Sequence, residues 1–555
     1  MLGWPAVSWR WLRVGAFVAA FAAAVMGAAM AGASASGRST PPVAATVVGT
    51  GRQEGVVVQA GAVAGSALLG GSKATARRPA TAVAQTAGVD PFDVEVVQTS
   101  ADLVQHLTRL PDLEFQPGRP PAGKTTVIHV NDAVRYQRVG GFGAAMTDSS
   151  AWLLDNELPG AIGATVDAGL FGPSGIDLNS IRVPMGASDF TRTGQPYTYD
   201  DLPPGHSDPK LLHFSIAHDL YYIVPELRQA LALNPATTML ATPWSPPAWM
   251  KNNDSLGNLN HKGTLRWSDA SALARYFVKF IQAYAQAGVP IYAVSPQSEP
   301  TNATSYPGLE LSEPAEARFV RSYLVPALRA AHLSTKIYGH DSGWSAVSAA
   351  YAKALVSDHA LDKDLAGIAW HCYFGSPYLM STVRRFDSSL DQIVDECSPG
   401  ITPFPVSEAV IGSIRNWASI VELWNLALDP RGGPVQAPNN GCPGCTGLVT
   451  ADEQTHTAKY MLAYYQLGQA SAFVQRGAWH VDSEHYVLYD YQRPGTNLVT
   501  PGLDDVAFVN PDGSRVLLAY DNSPHPISFE VEWQGRYISY TLPSRATVTL
   551  AWDRA

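Results

Sequence analysis

Along the middle of the chain, short apolar runs alternate with longer stretches whose apolar residues recur every three or four positions. Eight runs read as buried strands by their length and β-branched content: Val139 to Gly143, Ser180 to Val183, Met239 to Ala241, Ile291 to Val294, Lys336 to Tyr338, Ala366 to Ala369, Asp391 to Val394 and Ile420 to Leu423. Each gives way to polar or aromatic residues: in order Asp148, Asp189, Trp244, Glu299, Asp341, the pair His371 and Tyr373, Glu396, and the pair Trp424 and Asn425. Between the runs, Asp269 to Ala287 sets Leu273, Phe277, Phe280, Ile281 and Tyr284 on one helical face, and Gly288 supplies the stop. Glu313 to Ala331, Phe404 to Trp417 and Gln454 to Phe473 read as further amphipathic helices. Eight strand–helix repeats predict a (β/α)8 barrel over residues 136–474, with every one of those polar residues at the C-terminal strand ends, where such barrels carry their chemistry.

The two ends of the chain have another texture. Val94 to Val97, Leu113 to Phe115 and Thr125 to Val130 alternate like strands, and so do five runs near the other end: Val506 to Val509, Val516 to Ala519, Ile527 to Trp533, Tyr537 to Leu542 and Thr547 to Trp552. They predict one β-sandwich built from residues 90–135 and 475–555. At the N-terminus, Arg10 and Arg13 precede an Ala-rich apolar run, Val14 to Ala31, followed by the small residues Ala33 to Ala35. That is the pattern of a secretory signal over residues 1–35, and its removal leaves no membrane span. Residues 36–89 show no helical or strand period and read as a flexible lead-in.

Composition narrows the function. A formal charge of -10 argues against a nucleic-acid-binding surface. A hydrophobic share of 46% supports a large core, and 14 Trp and 23 Tyr offer flat faces that suit sugar rings. Gly141 to Met146 imitates a dinucleotide fingerprint but lacks its third glycine, and no nucleotide cofactor is expected. The histidines show no ligand spacing, so no metal is expected either. Cys442 and Cys445 would make half a zinc site, but no second pair lies near, and in an exported chain a local disulfide is the favoured reading. Cys372 and Cys397 follow strand ends and read as small buried thiols, with a bridge between them left open.

Two carboxylates on strand ends are what glycoside hydrolysis requires: one acid to protonate the leaving oxygen, one anion to attack the anomeric carbon. Glu299 is the first candidate. For the second, Glu396 directly ends strand seven, whereas Glu408 lies in the helix before strand eight, so Glu396 is chosen. In this reading the carboxyls face each other at about 5–5.5 Å, the retaining separation. Glu299 is expected to hold its proton near neutral pH because of the neighbouring Glu396 charge.

Gly141 to Asp148, Arg182 to Met185, Thr242 to Lys251, Glu299-Pro300, His371 to Tyr373, Glu396 to Ser398, and Trp424 to Leu428 with Gly432 to Pro434 resemble family 30 glycoside hydrolases, particularly the glucosylceramidase-like branch. The resemblance implies a retaining β-glycosidase with a sandwich attached to its barrel. It implies Glu299 as acid/base and Glu396 as nucleophile, with Asp148, Trp244 and Trp424 holding the sugar and His371, Tyr373 and Asn425 lining the pocket. Ser298 stands where the family has an asparagine that binds the sugar 2-OH. The expected activity is a secreted β-glucosidase acting on carbohydrate or glycolipid, such as glucosylceramide-like substrates. The alternatives are a β-1,6-glucanase or β-xylosidase of the same family, or a carbohydrate-binding protein with impaired catalysis.

Overall fold

The computed structural model describes residues 56–58, 92–120, 126–361, 363–398, 400–401, 405–435, 442–484 and 502–553. The signal and most of the lead-in lie outside the described residues. None of the described helices is long and apolar enough to cross a membrane.

Eight parallel strands close into a barrel in chain order: Gly141–Ala145, Ser180–Pro184, Thr238–Thr242, Ile291–Val294, Lys336–Trp344, Gly367–Gly375, Asp391–Glu396 and Ala418–Leu423. Their side chains alternate between the interior and the surrounding helices. Leu240, Ala293, Tyr338, Ala369, Ile393 and Ile420 fill one interior layer. The helix Ala270–Gln286 turns Leu273, Phe277, Phe280, Ile281 and Tyr284 inward, on the face that the spacing predicts. Burial of each such side chain stabilises the fold by roughly 1.5–3 kcal/mol.

The barrel interior changes character along its axis. Ser180 and Arg182 on strand two, and Glu422 on strand eight, occupy inward positions, so the upper half of the interior is polar. Strand five departs from the β region midway along its length, where its register against strand six shifts. His340 has φ 76° and Asp341 φ 49°, a left-handed pair. This twist packs His340 against Tyr351 and Trp370, while Asp341 meets Arg182.

Two sheets form the sandwich. The larger contains Asp93–Thr99, Thr108–Glu114 and Asn131–Arg138 from one end of the chain, with Trp479–Asp482, Leu503–Val509, Arg515–Asp521 and Thr547–Trp552 from the other. The smaller joins Gln116–Pro117 and Thr126–His129 to the hairpin Ile527–Trp533/Arg536–Leu542. In the sandwich core Trp552 meets Phe115 and Trp533 edge to face, and Phe115 and Trp533 are tilted against each other. Barrel and sandwich share buried helices: Ser407 on Val406–Arg415 bonds Thr547, and Gln469 on Leu462–Ser471 bonds Thr549 and Thr99.

Two expectations are corrected. Gln454 to Phe473 is not one helix: Val449–Asp452 and Thr457–Tyr460 are paired strands, and the helix is confined to Leu462–Ser471. The turn at 453–456, closed by Asp452 accepting from Gln454 N–H, breaks the period. Within the lead-in, Val56–Val58 forms a strand antiparallel to Thr457–Tyr460, with Val56 opposite Tyr460. Three consecutive β-branched residues suit such pairing, which gives the backbone of Thr457–Tyr460 a second neighbour.

Candidate active site

Glu299 lies five residues beyond the end of strand four, in a turn that Pro300 keeps from returning to strand. Its φ is 45°, an uncommon backbone state for a side-chain-bearing residue, held by its N–H donating to Asp341 O at 2.9 Å. Strain of this kind costs on the order of 1–3 kcal/mol and gathers at functional sites. Asn302 Nδ2 donates to Glu299 Oε2 at 2.6 Å. Glu396 is the last residue of strand seven, and the two glutamates present carboxylate oxygens within 4.8 Å of each other. Glu408 instead lies on Val406–Arg415, on the sandwich side, where its charge is felt by Tyr520.

Both oxygens of Glu396 are held. Tyr373 Oη donates to Oε1 at 2.8 Å, and Arg182 Nη1 donates to Oε2. Arg182 is fully buried and also reaches Asp341 Oδ1 at 2.7 Å, Asp395 Oδ2 at 3.3 Å and Ser298 Oγ at 3.2 Å. A guanidinium suits this place because it presents several donors in one plane. Its face also lies 4.7 Å from the Trp244 ring centroid.

His371 joins the two halves. Its Nε2 is 2.8 Å from Asp341 Oδ1, and its Nδ1 is 3.1 Å from Glu299 Oε1 and 3.7 Å from Glu396 Oε1. Burial disfavours the imidazolium, but Glu396, Asp341 and Glu299 together hold it well above the usual histidine range. The expectation for Glu299 therefore reverses. Burial raises its carboxyl, yet the His371 bond and charge and the Asn302 amide outweigh that and bring it below the ordinary value. His371, held charged between the two glutamates, is the cation that lowers Glu299 against the neighbouring Glu396 charge. Asp341 is held well below the carboxylate range against its burial, by Arg182 and His371. Asp395 is pushed up to about 8 by burial and the Asp341 charge, so the cluster keeps one carboxyl neutral.

The pocket wall is aromatic. Trp244 and Trp424 stack at 5.1 Å and 20°, and Phe190 meets Trp424 edge-on at 5.8 Å. Asp148 opens a short helix capped by the Thr147 side chain. It accepts from Arg192 N–H at 2.5 Å and Tyr222 Oη at 2.6 Å, and lies 2.6 Å from His218 Nε2. Asn425 is fully buried, and both side-chain polar atoms lack a protein partner; Asp189 Oδ1 and Gln297 Oε1 are likewise unpaired. Buried polar atoms without partners are costly and call for one. Burial and the charges of Glu396 and Glu299 keep the Asp189 carboxyl well above its ordinary range.

Two disulfides and one lysine fix the surroundings. Cys372–Cys397 is a bridge, where the favoured reading was two thiols, and it ties strand six to strand seven one residue beyond His371 and Glu396. The bridge forms because parallel neighbours bring the two strand ends to a Cα–Cα distance of 5.1 Å. Cys442–Cys445 is bridged as expected, and Cys445 packs in the Trp244–Trp424 cluster. Lys251 is buried, and its ammonium donates to Ser245 Oγ and to the carbonyls of Leu256, Gly257 and Gly308. Burial lowers it to about 7, and those acceptors favour the charged form.

Compared with known proteins, residues 139–474 match the glycosyl hydrolase family 30 TIM-barrel domain, and residues 492–550 match that family's β-sandwich domain. The chain belongs to glycosyl hydrolase family 30. It is 31% identical over 425 residues to the endo-1,6-β-D-glucanase of Neurospora crassa, covering 75% of this chain and 85% of that protein. It is 29% identical over 458 residues to the lysosomal acid glucosylceramidase of Mus musculus, covering 76% and 82% respectively. Among solved structures, an endo-β1,6-glucanase superposes with a TM-score of 0.72 at 28% identity, over 83% of this chain and all of that one.

This family 30 glycoside hydrolase brings Glu299, Glu396, Ser298, His371 and Tyr373 into one network through Arg182, with Trp244 and Trp424 beside it. Asp148 sits in a neighbouring network with His218, Tyr222 and Tyr197. Sequence reasoning assigned no role to Arg182, Asp341 or Asp395. A lone arginine inside an apolar strand was the available signal, since a buried guanidinium needs anions around it.

Proposed function

We propose that this enzyme is an exported, retaining endo-β-1,6-glucanase, with Glu396 as nucleophile and Glu299 as acid/base. The observation that carries the retaining mechanism is the approach of the two carboxylates within 4.8 Å, which fits about 5–5.5 Å between carboxyls and leaves no room for the water of an inverting enzyme. Glu396 attacks the anomeric carbon while the leaving C6 oxygen takes a proton from Glu299, which draws it from His371. Water then enters, gives its proton to Glu299 and releases the sugar from Glu396 with β configuration restored. Trp244 and Trp424 form the platform for the sugar ring, and Asn425, Asp189 and Gln297 supply unpaired polar atoms for its hydroxyls. The 1,6 linkage rests on the glucanase relatives, and export on the signal-like N-terminus together with two disulfides, which persist in oxidising compartments.

A second reading, a glucosylceramide-type glucosidase, rests on the likeness to the mouse enzyme. The deciding experiment offers linear β-1,6-glucan, nitrophenyl β-glucoside and glucosylceramide in parallel, with products sized and their anomeric form followed by NMR. Short β-1,6 oligosaccharides appearing first as the β anomer are expected. Glucose alone from the glucan, or faster turnover of glucosylceramide, removes the endo-glucanase reading; an α anomer removes retention.

A further inference from the structure

The loop between strand two and the helix Ile223–Leu233 holds a cluster that the glycosidase chemistry does not use. Asp200, Asp208 and His213 each offer one ligand atom, and these atoms lie within 4.8 Å of one another. Asp208 Oδ2 accepts from His213 N–H at 2.8 Å and lies 2.9 Å from its Nδ1. That pair alone would be an ordinary Asp–His contact. Asp200 makes the difference. Its side chain is 1% exposed, its Oδ2 accepts from Trp249 Nε1 at 3.2 Å, and its Oδ1 has no partner. Among the described residues, neither carboxylate is paired with a lysine or arginine. The nearby cations are directed elsewhere: Arg275 donates to Pro209 O at 2.6 Å and Lys279 to Leu211 O at 2.7 Å. These bonds, with Tyr199 N–H donating to Tyr276 Oη at 3.1 Å, fasten the loop to helix Ala270–Gln286 and leave the three ligands preorganised.

We infer that Asp200, Asp208 and His213 form a structural site for one divalent transition-metal cation of the Zn2+ type. Two carboxylate oxygens and one imidazole nitrogen suit zinc at about 2.0–2.2 Å, with a water completing a tetrahedron. The imidazole disfavours Ca2+ and Mg2+, which take oxygen ligands. A tetrahedron of that size places its ligand atoms about 3.4 Å apart; the observed atoms lie within 4.8 Å of one another, and the cation takes the place of the 2.9 Å Asp208–His213 bond. His213 is exposed and gives the cation an entry path. The bound cation supplies the missing partner of Asp200 Oδ1. It also clamps the loop that carries Arg192, Tyr197 and His218 around Asp148.

The test uses the full chain without an affinity tag, stripped with EDTA and dialysed. Titration calorimetry with ZnCl2 should give one site per chain, and thermal unfolding should shift upward by several degrees in micromolar Zn2+ but not in Mg2+. Asp200→Asn keeps an acceptor for Trp249 but removes the charge, and it should abolish both responses. His213→Ala, at an exposed position, should do the same while leaving turnover of the metal-free enzyme unchanged. Absence of stoichiometric binding by the wild type overturns the assignment. So does Zn2+ binding by Asp200→Asn equal to that of the wild type, which would leave only a surface Asp–His pair. A neutral Asp200 held protonated by burial would give no zinc response in any of the three proteins, and that also overturns it.

Discussion

Glu316 offers a test of how this barrel stores protons. It is 1% exposed, on the helix Glu313–Phe319, and burial pushes its carboxyl from 4.5 up to about 7. The bonds from Tyr351 and from His340 N–H favour the ionised form, and burial outweighs them. Glu316 Oε1 accepts from His340 N–H at 3.0 Å, while Tyr351 Oη lies 2.6 Å from Oε2 and 3.0 Å from Leu311 O. Tyr351 has one proton. If it donates to Leu311 O, the short contact to Oε2 is satisfied only when Oε2 carries a hydrogen. The perturbation is Glu316→Gln, which keeps that pattern with an amide N–H. The unfolded chain releases this proton above about 4.5 and the folded chain only above about 7, so wild-type stability falls as pH rises through that window. At ~1.36 kcal/mol per pH unit, the loss reaches about 3 kcal/mol above pH 7. Urea unfolding from pH 4 to pH 8 should show the wild type losing about that much relative to Glu316→Gln, whose own cost, from one unpaired amide hydrogen, does not vary with pH. Parallel stability curves for the two proteins across the window would refute the reasoning. A variant that loses more stability than the wild type as pH rises would refute it more strongly.

Other predictions concern the site directly. Glu299→Ala should lose most activity on natural glycosides, by roughly 10²–10⁴-fold for a lost general acid. Azide should restore turnover of nitrophenyl glucoside, and unchanged glucan hydrolysis would remove the assignment. Ser298→Asn should raise kcat/KM on a β-glucoside, roughly tenfold for each ~1.4 kcal/mol recovered. A 2-deoxy substrate should gain little, and a loss on every substrate would mean that the Ser298–Arg182 contact is itself needed. Replacing Cys372 and Cys397 together by serine should cost about 2–4 kcal/mol in denaturant unfolding. It should also lower kcat more than it raises KM, because the bridge holds the strand ends that carry His371 and Glu396; an unaltered kcat would confine the bridge to stability.

The barrel was legible because its signals are local. A strand such as Ile291 to Val294 is short, apolar and closed by Pro300, and Asp269 to Ala287 repeats at helical spacing. The strand-end position of Glu396 sets it apart from Glu408 in the sequence alone. What lay hidden depends on neighbours distant in sequence. Nothing near Glu299 tells of the His371 cation that lowers its carboxyl, since His371 comes from two strands further on. Cys372 and Cys397 became a pair only once strands six and seven were adjacent. Asp341 reaches Arg182 through a left-handed bend, and His340 has no composition cue for it. Val56–Val58 reads as part of a featureless stretch until Thr457–Tyr460 stands beside it.

The larger sheet of the sandwich also governs when this protein can exist at all. Thr547–Trp552 lies between Arg515–Asp521 and Asp93–Thr99, the latter paired residue for residue from Val94–Trp552 to Thr99–Thr547. The early strand therefore waits for a partner made roughly 450 residues later, which at ~5–20 residues per second is tens of seconds of synthesis. Until then Leu462–Ser471 and Val406–Arg415 lack the sheet that covers their outer faces, and the nearly finished barrel displays apolar surface to whatever surrounds it. The final strand thus acts as the clasp that commits both ends of the chain at once.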